Sequence, residues 1–249
     1  MTTIDLLTAA GPSSDRFLHD LAASIRGQHV PVGWSVRWLV VCDGPDAGAN
    51  ASRARMAEEL GAHQTWSNHD RYWAGASRNR ALAHSDAEWI QAVDADDVLC
   101  EGAVETWARE ARIRNTWCAF RAVDWHPEES RTRGFPSPFP PGRIAAGEWL
   151  RHFERTSRHP VHPLTILWPR TLLVRVGGWA AAPSAEDAVV ALVGTSLCDG
   201  WCSDDVVIRY RKHPLQDTHG GKARTVEPAA ADARELAIQQ ARLRLLDGR

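Results

Sequence analysis

The first half of the chain alternates short apolar runs with stretches in which apolar residues recur at helical spacing. This pattern predicts strands and helices in strict alternation. Strands joined by helices of this length form βαβ crossovers, so we expect an α/β fold with a mainly parallel, Rossmann-like sheet flanked by helices. The predicted strands cover residues 4–8, 36–41, 64–66, 89–93 and 117–125, and the predicted helices cover 17–25, 50–60, 73–84 and 101–112.

The second half is less regular. Five prolines lie between residues 126 and 143, which predicts a long loop without regular structure. Because such loops are often functional and this one carries Phe135 and Phe139, we expect residues 126–141 to form a mobile lid. Beyond it the pattern predicts strands at 164–168 and 206–210, helices at 148–154, 170–176 and 185–193, and a C-terminal helix at 228–246.

Carboxylates follow two of the predicted strands directly. Asp94, Asp96 and Asp97 come after strand 89–93, and Asp43 comes after strand 36–41. In an open α/β sheet the carboxyl edge of the strands is where ligands bind, and carboxylates there suit Mg²⁺ or Mn²⁺ carrying phosphate oxygens. The alternative is that the three neighbouring acids only begin the next helix.

Composition narrows the class of ligand. The chain has 249 residues, 44% of them hydrophobic, which suits a single domain over residues 1–249. A net charge of -2 gives no basic stripe for nucleic acid, and no Gly-rich dinucleotide or P-loop motif is present.

Five cysteines without a CxxC pair indicate reduced thiols. With neither a signal peptide nor a membrane span in the sequence, we expect a cytoplasmic protein with a small-molecule substrate.

Four segments together resemble the family 2 glycosyltransferases of the GT-A fold. They are VCDG at 41–44, GASRNRAL at 75–82, VDADD at 93–97, and the Gly-Gly-Trp at 177–179 that precedes Glu186 and Asp187. The resemblance implies a nucleotide-sugar-binding half (1–125), an acceptor-binding half (126–227) and a C-terminal helix (228–249). It also implies a metal-dependent, inverting, hexosyltransferase-type enzyme that moves a sugar from a nucleotide-diphosphate donor, with a UDP-sugar favoured, to a hydroxyl acceptor.

The resemblance assigns roles on the donor side. Asp43 resembles the acid that contacts the base, although Cys42 replaces a usual second Asp beside it. Asp94 and Asp96 resemble the DxD pair that holds Mg²⁺ or Mn²⁺ and the diphosphate, and Asp97 would orient that site. Arg78 falls in the segment near the diphosphate, where its guanidinium suits phosphate oxygens. The alternative for Arg78 is an ordinary arginine on a helix surface.

The resemblance also assigns roles on the acceptor side. Asp187 would be the general base and Glu186 its neighbour, and Trp179 would face the acceptor pocket. First-turn helix preference is the alternative explanation for the two acids. His213 and His219 are both candidates for a histidine that approaches the metal, and a surface position is the alternative for each.

Two other functions compete with glycosyl transfer. A nucleotidyltransferase on a similar sheet would carry a Gly-rich, basic loop after the first strand, which residues 8–14 do not offer. A non-catalytic nucleotide-sugar-binding protein would have no need of Asp187 alongside Asp94 and Asp96. Donor hydrolysis with and without Mn²⁺ distinguishes these functions.

Overall fold

The computed structural model describes residues 1–129, 131–135, 137–214 and 221–247. Its strands are β1 Thr2–Ala10, β2 Trp34–Cys42, β3 Gln64–Ser67, β4 Trp89–Ala92, β5 Val98–Leu99, β6 Cys118–His126, β7 Arg131–Gly134, β8 Gly142–Ile144, β9 Ile166–Pro169 and β10 Gly200–Arg211. Its helices are α1 Leu18–Arg26, α2 Ala47–Glu59, α3 Trp73–His84, α4 Ala103–Arg114, α5 Glu148–Thr156, α6 Arg170–Val176, α7 Glu186–Gly194 and α8 Gly221–Asp247.

The strands form one mixed sheet in the order β3-β2-β1-β4-β9-β6-β10-β5, with β7 added beside β6 and β8 beside β10. The first four in this order pair in parallel, as the alternation of strands and helices predicts. The middle strand β9 pairs antiparallel with both β4 and β6. The predicted α/β class and mainly parallel sheet are therefore confirmed for the first half, and antiparallel pairs are concentrated in the second.

A single hydrophobic core runs through both halves. It joins Leu7 and Ile90 of the parallel strands to Trp107 of α4, Trp149 of α5 and Leu167 of β9, all of them almost fully buried. Because strands covered by helices on both faces bury most of their side chains, β1, β2 and β4 are mostly apolar and mostly buried. The chain folds as one domain.

The prediction that residues 126–143 lack regular structure is wrong. Strand β6 continues to His126, and β7 returns antiparallel beside it, with Trp125 opposite Thr132. Strand β8 pairs with the start of β10. The prolines do not prevent this pairing, because none of them lies inside β7 or β8. In addition, β7 pairs with β6 alone and is not a central strand of the sheet.

The C-terminal helix is longer than predicted, since α8 begins at Gly221 and includes Pro228. A proline inside a helix loses one backbone hydrogen bond and crowds the carbonyl four residues earlier, which is why the sequence predicts the helix start at Pro228. In the structure the helix nevertheless continues on both sides of it. In the part of the chain that the structure describes, no helix combines the length and apolar character that a membrane crossing requires.

Candidate active site

The carboxyl ends of the parallel strands open into a cavity of about 760 Å³. Strands β1, β2 and β4 run side by side in register, so the residues that follow them share one edge. The acids that line the cavity are Asp43, Asp94, Asp96, Glu186 and Asp187. The structure thus brings together all five carboxylates that the resemblance assigns to the donor and to catalysis.

Arg78 joins two of these acids. It lies on the buried face of α3 with 2% of its surface exposed. Its Nη1 donates to Glu186 Oε1 across 2.6 Å, and its Nη2 donates to Asp94 Oδ1. The alternative of a surface arginine is therefore excluded. A guanidinium with two separate donor edges can hold two carboxylates at once, which a lysine could not do in the same geometry.

Burial dominates the electrostatics of these acids. It raises the pKa of Asp94 to about 7, with Arg78 opposing the shift and Asp96 adding to it. Burial also raises the pKa of Glu186, again opposed by Arg78. One guanidinium therefore only partly compensates a cluster of carboxylates that is short of positive charge.

His213 lies beside Asp96. Its Nε2 is 2.8 Å from Oδ2 of Asp96. The neighbouring Arg211 donates its backbone N–H to Asp97 Oδ1 and its Nε to the carbonyl of Asp96, which fixes the end of β10 against the acids. Asp97 is fully buried and does not line the cavity, so it orients this loop rather than contacting a ligand. His219 lies outside the described residues.

The described residues contain no group of three or more side chains placed to hold a metal ion by themselves. Asp94 and Asp96 nevertheless both line the cavity, and both are partly exposed. Hard divalent cations often take only one or two carboxylates from the protein and the rest of their ligands from phosphate and water. The two aspartates are therefore a suitable donor pair for a cation that arrives with a diphosphate.

Glu186 and Asp187 occupy the first turn of α7. The helix follows Ala185, whose φ of 64° is unusual for a residue with a side chain. Asp187 Oδ1 accepts the backbone N–H of Ala188 across 3.0 Å, and the side chain still lines the cavity. The acid therefore takes part in the helix start and also faces the site.

Helix α3 fixes the segment that leads to these acids. Asn79 clamps the backbone of Trp179 at both polar groups, since its Nδ2 donates to the carbonyl and its Oδ1 accepts the N–H, each across 2.8 Å. A Cβ added at Gly75 would lie 2.0 Å from the carbonyl oxygen of Ala180. The glycine is thus required for close approach of α3 to the loop.

The prediction that Trp179 faces the acceptor pocket is wrong. Its side chain is 3% exposed, belongs to the hydrophobic core, and is not among the residues that line the cavity. The backbone clamp by Asn79 sets this orientation. A large apolar ring that follows two glycines is stabilised more by burial than by exposure at a cavity wall.

Asp43 organises the far corner of the cavity. Its Oδ1 accepts hydrogen bonds from Asn68 Nδ2 at 2.9 Å and from the N–H of Tyr72 at 2.8 Å. Its Oδ2 accepts one bond, from the N–H of Trp73 at 2.9 Å. Asp43 therefore anchors the turn before α3 and keeps one acceptor position on Oδ2.

Three aromatic side chains line the cavity on the acceptor-half side. Phe135 belongs to the predicted lid, whereas His162 and Tyr210 were not assigned to the site from the sequence. His162 contacts the rings of Phe135 and Tyr210 at centroid distances of 5.2 and 4.7 Å, and all three line the cavity. Burial lowers the pKa of His162 to about 4 and raises the pKa of Tyr210. The positions of these two partly buried polar rings have no sequence signal, because they depend on packing between distant segments.

The two phenylalanines of the predicted lid differ in position. Phe135 lines the cavity, whereas Phe139 is buried against Trp149 and His152 of α5. Phe139 therefore belongs to the core, and only Phe135 is placed to meet a ligand.

Several solved structures with a similar fold are of TarS from S. aureus, a family 2 glycosyltransferase of the GT-A fold. Its residues 1–349 in complex with UDP-GlcNAc match with a TM-score of 0.68 and 16% identity over 95% of this chain. The complex with UDP matches with a TM-score of 0.64 and 16% identity over 94% of this chain. The chain has the GT-A fold.

This GT-A chain spans 65% of the TarS chain solved with UDP-GlcNAc. No family model and no curated protein matches the sequence. The likeness therefore concerns the fold, which confirms the GT-A architecture expected from the sequence motifs. What the site does is argued from its own residues below.

Proposed function

We propose that this chain is a glycosyltransferase that moves a sugar from a nucleotide-diphosphate donor to a hydroxyl acceptor. The observation that carries the proposal is the Arg78 bridge, which holds Asp94 of the donor site and Glu186 of the catalytic pair at one cavity wall. A structural ion pair needs no adjacent cavity. This one lies between the acids suited to a sugar diphosphate and the acid suited to remove a proton.

The nucleotide is a uridine diphosphate in this proposal. Asp43 has an acceptor position on Oδ2 at the corner of the cavity, and a base with a ring N–H can donate to it. Uracil has this N–H, as guanine and thymine do, whereas cytosine and adenine have a ring acceptor in the equivalent place. The TarS structures that share the fold contain UDP-GlcNAc and UDP, which supports the same choice.

Mg²⁺ or Mn²⁺ is the proposed cofactor, held by Asp94 and Asp96, with His213 close to Asp96. The fit rests on the hard carboxylate donors, which both line the cavity and are partly exposed. When bound, the cation would stabilise negative charge on the departing diphosphate. Asp97 and Arg211 would keep the two acids in place through the contacts at the end of β10.

Asp187 is the proposed general base. It lines the cavity at the first turn of α7, and transfer requires the acceptor hydroxyl to lose its proton as it attacks the anomeric carbon. The proton goes to the carboxylate, the new glycosidic bond forms, and the bond to the diphosphate breaks. A single displacement of this kind inverts the anomeric centre. Glu186, held by Arg78, would orient the acceptor or Asp187.

The acceptor half of the cavity is lined by Phe135, His162 and Tyr210. Flat, partly polar rings suit the faces and hydroxyl groups of a sugar or a similar polyol. We therefore propose these three residues, and not Trp179, as the contacts of the acceptor.

A panel of nucleotide sugars tests the proposal. UDP-, GDP-, dTDP- and CDP-sugars are each incubated with the protein and Mn²⁺, and release of the nucleoside diphosphate is measured with and without EDTA. We expect metal-dependent release from a UDP-sugar, slow in water and faster when the correct acceptor is present. Binding of UDP-sugars without any turnover in an acceptor screen would favour the non-catalytic alternative. Failure to bind any nucleotide would refute the proposal.

A further inference from the structure

Trp73 has a backbone conformation that its side chain disfavours. It is the first residue of α3, and its φ is 67°. This left-handed region is costly for a residue with a bulky side chain. Such an outlier persists only where the surroundings hold it, and it often marks a functional position. Here Asp43 holds it by accepting the N–H of Trp73.

The Trp73 ring does not serve the hydrophobic core. Among the residues that the structure describes, Trp73 and Trp125 are the tryptophans that neither belong to the core cluster nor pack against it. Trp73 instead lines the cavity beside Asp43, and its ring carries the guanidinium of Arg71 at 4.1 Å from the centroid. The strained backbone therefore presents a large aromatic ring to the cavity without a packing benefit.

The β1 side of this corner carries small residues. Ala9 and Gly11 line the cavity there, and a Cβ added at Gly11 would meet only the carbonyl oxygen of Asp43, at 3.9 Å. The other aromatic rings of the cavity lie on residues 135–210, where His162 contacts both Phe135 and Tyr210. Trp73 is thus the aromatic ring of the corner in which Asp43 offers its acceptor.

We infer that Trp73, backed by Arg71, is the stacking platform for the nucleobase of the donor. The inference rests on the proposed function and names a residue that sets its nucleotide affinity. A ring N–H of the base would donate to Asp43 while the face of the base stacks on the indole. Because every base has a face that can stack, the indole would add affinity for any base. The hydrogen bond to the carboxylate would discriminate between bases.

The test uses calorimetry with UDP and, separately, with inorganic pyrophosphate, each in the presence of Mn²⁺. Trp73→Gly removes the ring and also relieves the left-handed strain, so its melting temperature should equal or exceed that of the wild type. UDP affinity should fall about 5- to 150-fold, the range for loss of one base stack. Pyrophosphate affinity should stay within twofold, because pyrophosphate has no base. Trp73→Phe retains a ring and should lose less than fivefold for UDP.

Trp201 provides a matched control. It is partly buried, Arg114 lies 3.4 Å from its ring centroid, and it is not among the residues that line the cavity. Trp201→Ala should leave UDP affinity within twofold of the wild type.

Each other outcome is decisive. Unchanged UDP affinity in Trp73→Gly overturns the platform, and so does an equal loss for UDP and pyrophosphate, which would mean general disruption of the corner. Equal losses in the Gly and Phe variants also overturn it, because the ring would then not matter. If the wild-type protein binds pyrophosphate but not UDP, the choice of uridine and the platform fail together, and if it binds neither, the proposed function itself fails.

Discussion

Arg78 Nη1 donates a hydrogen bond of 2.6 Å to Glu186 Oε1, although the two residues are 108 positions apart. The same guanidinium also holds Asp94. Helix α3, the DxD loop and the start of α7 therefore meet at one buried cation. Any change at this cation should affect folding and nucleotide binding together.

Replacing Arg78 by Met should lower the free energy of unfolding by about 3–5 kcal/mol. The variant leaves two carboxylates next to each other without their buried partner. Urea unfolding and UDP calorimetry measure the two effects. Arg37→Met is the control, because Arg37 also bridges two acids, Asp5 and Asp86, and is not among the residues that line the cavity. A stable Arg78→Met protein with normal UDP affinity would contradict the structural role assigned here.

Asp187→Asn should retain the fold and bind donor within a few-fold of the wild type, yet lose at least about 10²-fold in transfer rate. The amide is nearly isosteric but cannot take the proton, and general-base catalysis is typically worth about 10² to 10⁴ in rate. Transfer rate, donor affinity and melting temperature are measured on the same preparation.

Asp46→Asn is the control for Asp187. Asp46 also begins a helix, accepting the N–H of Ala49 at the start of α2, and does not line the cavity. If Asp187 only begins α7, the two variants should behave alike and remain active. Full activity in Asp187→Asn would eliminate it as the base.

Asp96→Ala should abolish transfer and weaken Mn²⁺-dependent UDP binding by at least about tenfold. Loss of residues that merely support a metal ligand already costs about 10- to 100-fold, so loss of a direct ligand should cost no less. UDP titrations with Mn²⁺ and with EDTA separate the metal-dependent part. Asp204→Ala, which removes a surface carboxylate paired with Arg121, is the control. Equal affinities for Asp96→Ala and the wild type in Mn²⁺ would refute the metal assignment.

Gly75→Ala should lower stability by about 1–3 kcal/mol and reduce transfer, because the added Cβ meets the carbonyl of Ala180 at 2.0 Å and pushes α3 from the loop. Gly48→Ala is the matched change in α2, where the nearest atom is the movable side chain of Asp46 at 3.3 Å. It should be neutral or slightly stabilising. The melting temperatures and transfer rates of the pair check this expectation, and a harmless Gly75→Ala would show that the close contact is not required.

His162 should make stability depend on acid pH. Its pKa is lowered to about 4 by burial and by Lys212, whereas an unfolded histidine has a pKa of about 6.5. Between these values the unfolded chain binds more protons, so the contribution of His162 is complete above about pH 6.5 and is lost as the pH falls towards 4.

The comparison with His162→Asn isolates this effect from the acids of the site, since both proteins share those acids. Asn can still accept the N–H of Leu164, as His162 Nδ1 does. The stability advantage of the wild type over the variant should shrink by roughly 2 kcal/mol between pH 6.5 and 4.5. Urea unfolding across this range measures it, and a constant difference would show that His162 is not held neutral by burial.

Local sequence determined the helices and strands and the positions of the acids at their ends. The apolar run 89–93 and the aspartates behind it needed no tertiary information, because strand pattern and carboxylate position are both read within a few residues. The same holds for Glu186 and Asp187 at the start of α7. The parallel order of β1, β2 and β4 follows from their helical crossovers.

Only the tertiary structure decided which side chains share the cavity and which are buried. His213 reaches Asp96 across 117 positions because β10 ends beside the DxD loop, and Trp179 turns into the core because Asn79 holds its backbone. Strand β7 forms because β6 offers it an edge, despite the surrounding prolines. Trp73 enters the cavity because Asp43 holds its N–H. Each of these outcomes depends on contacts between distant segments, and a local pattern of apolar and polar residues contains no information about them.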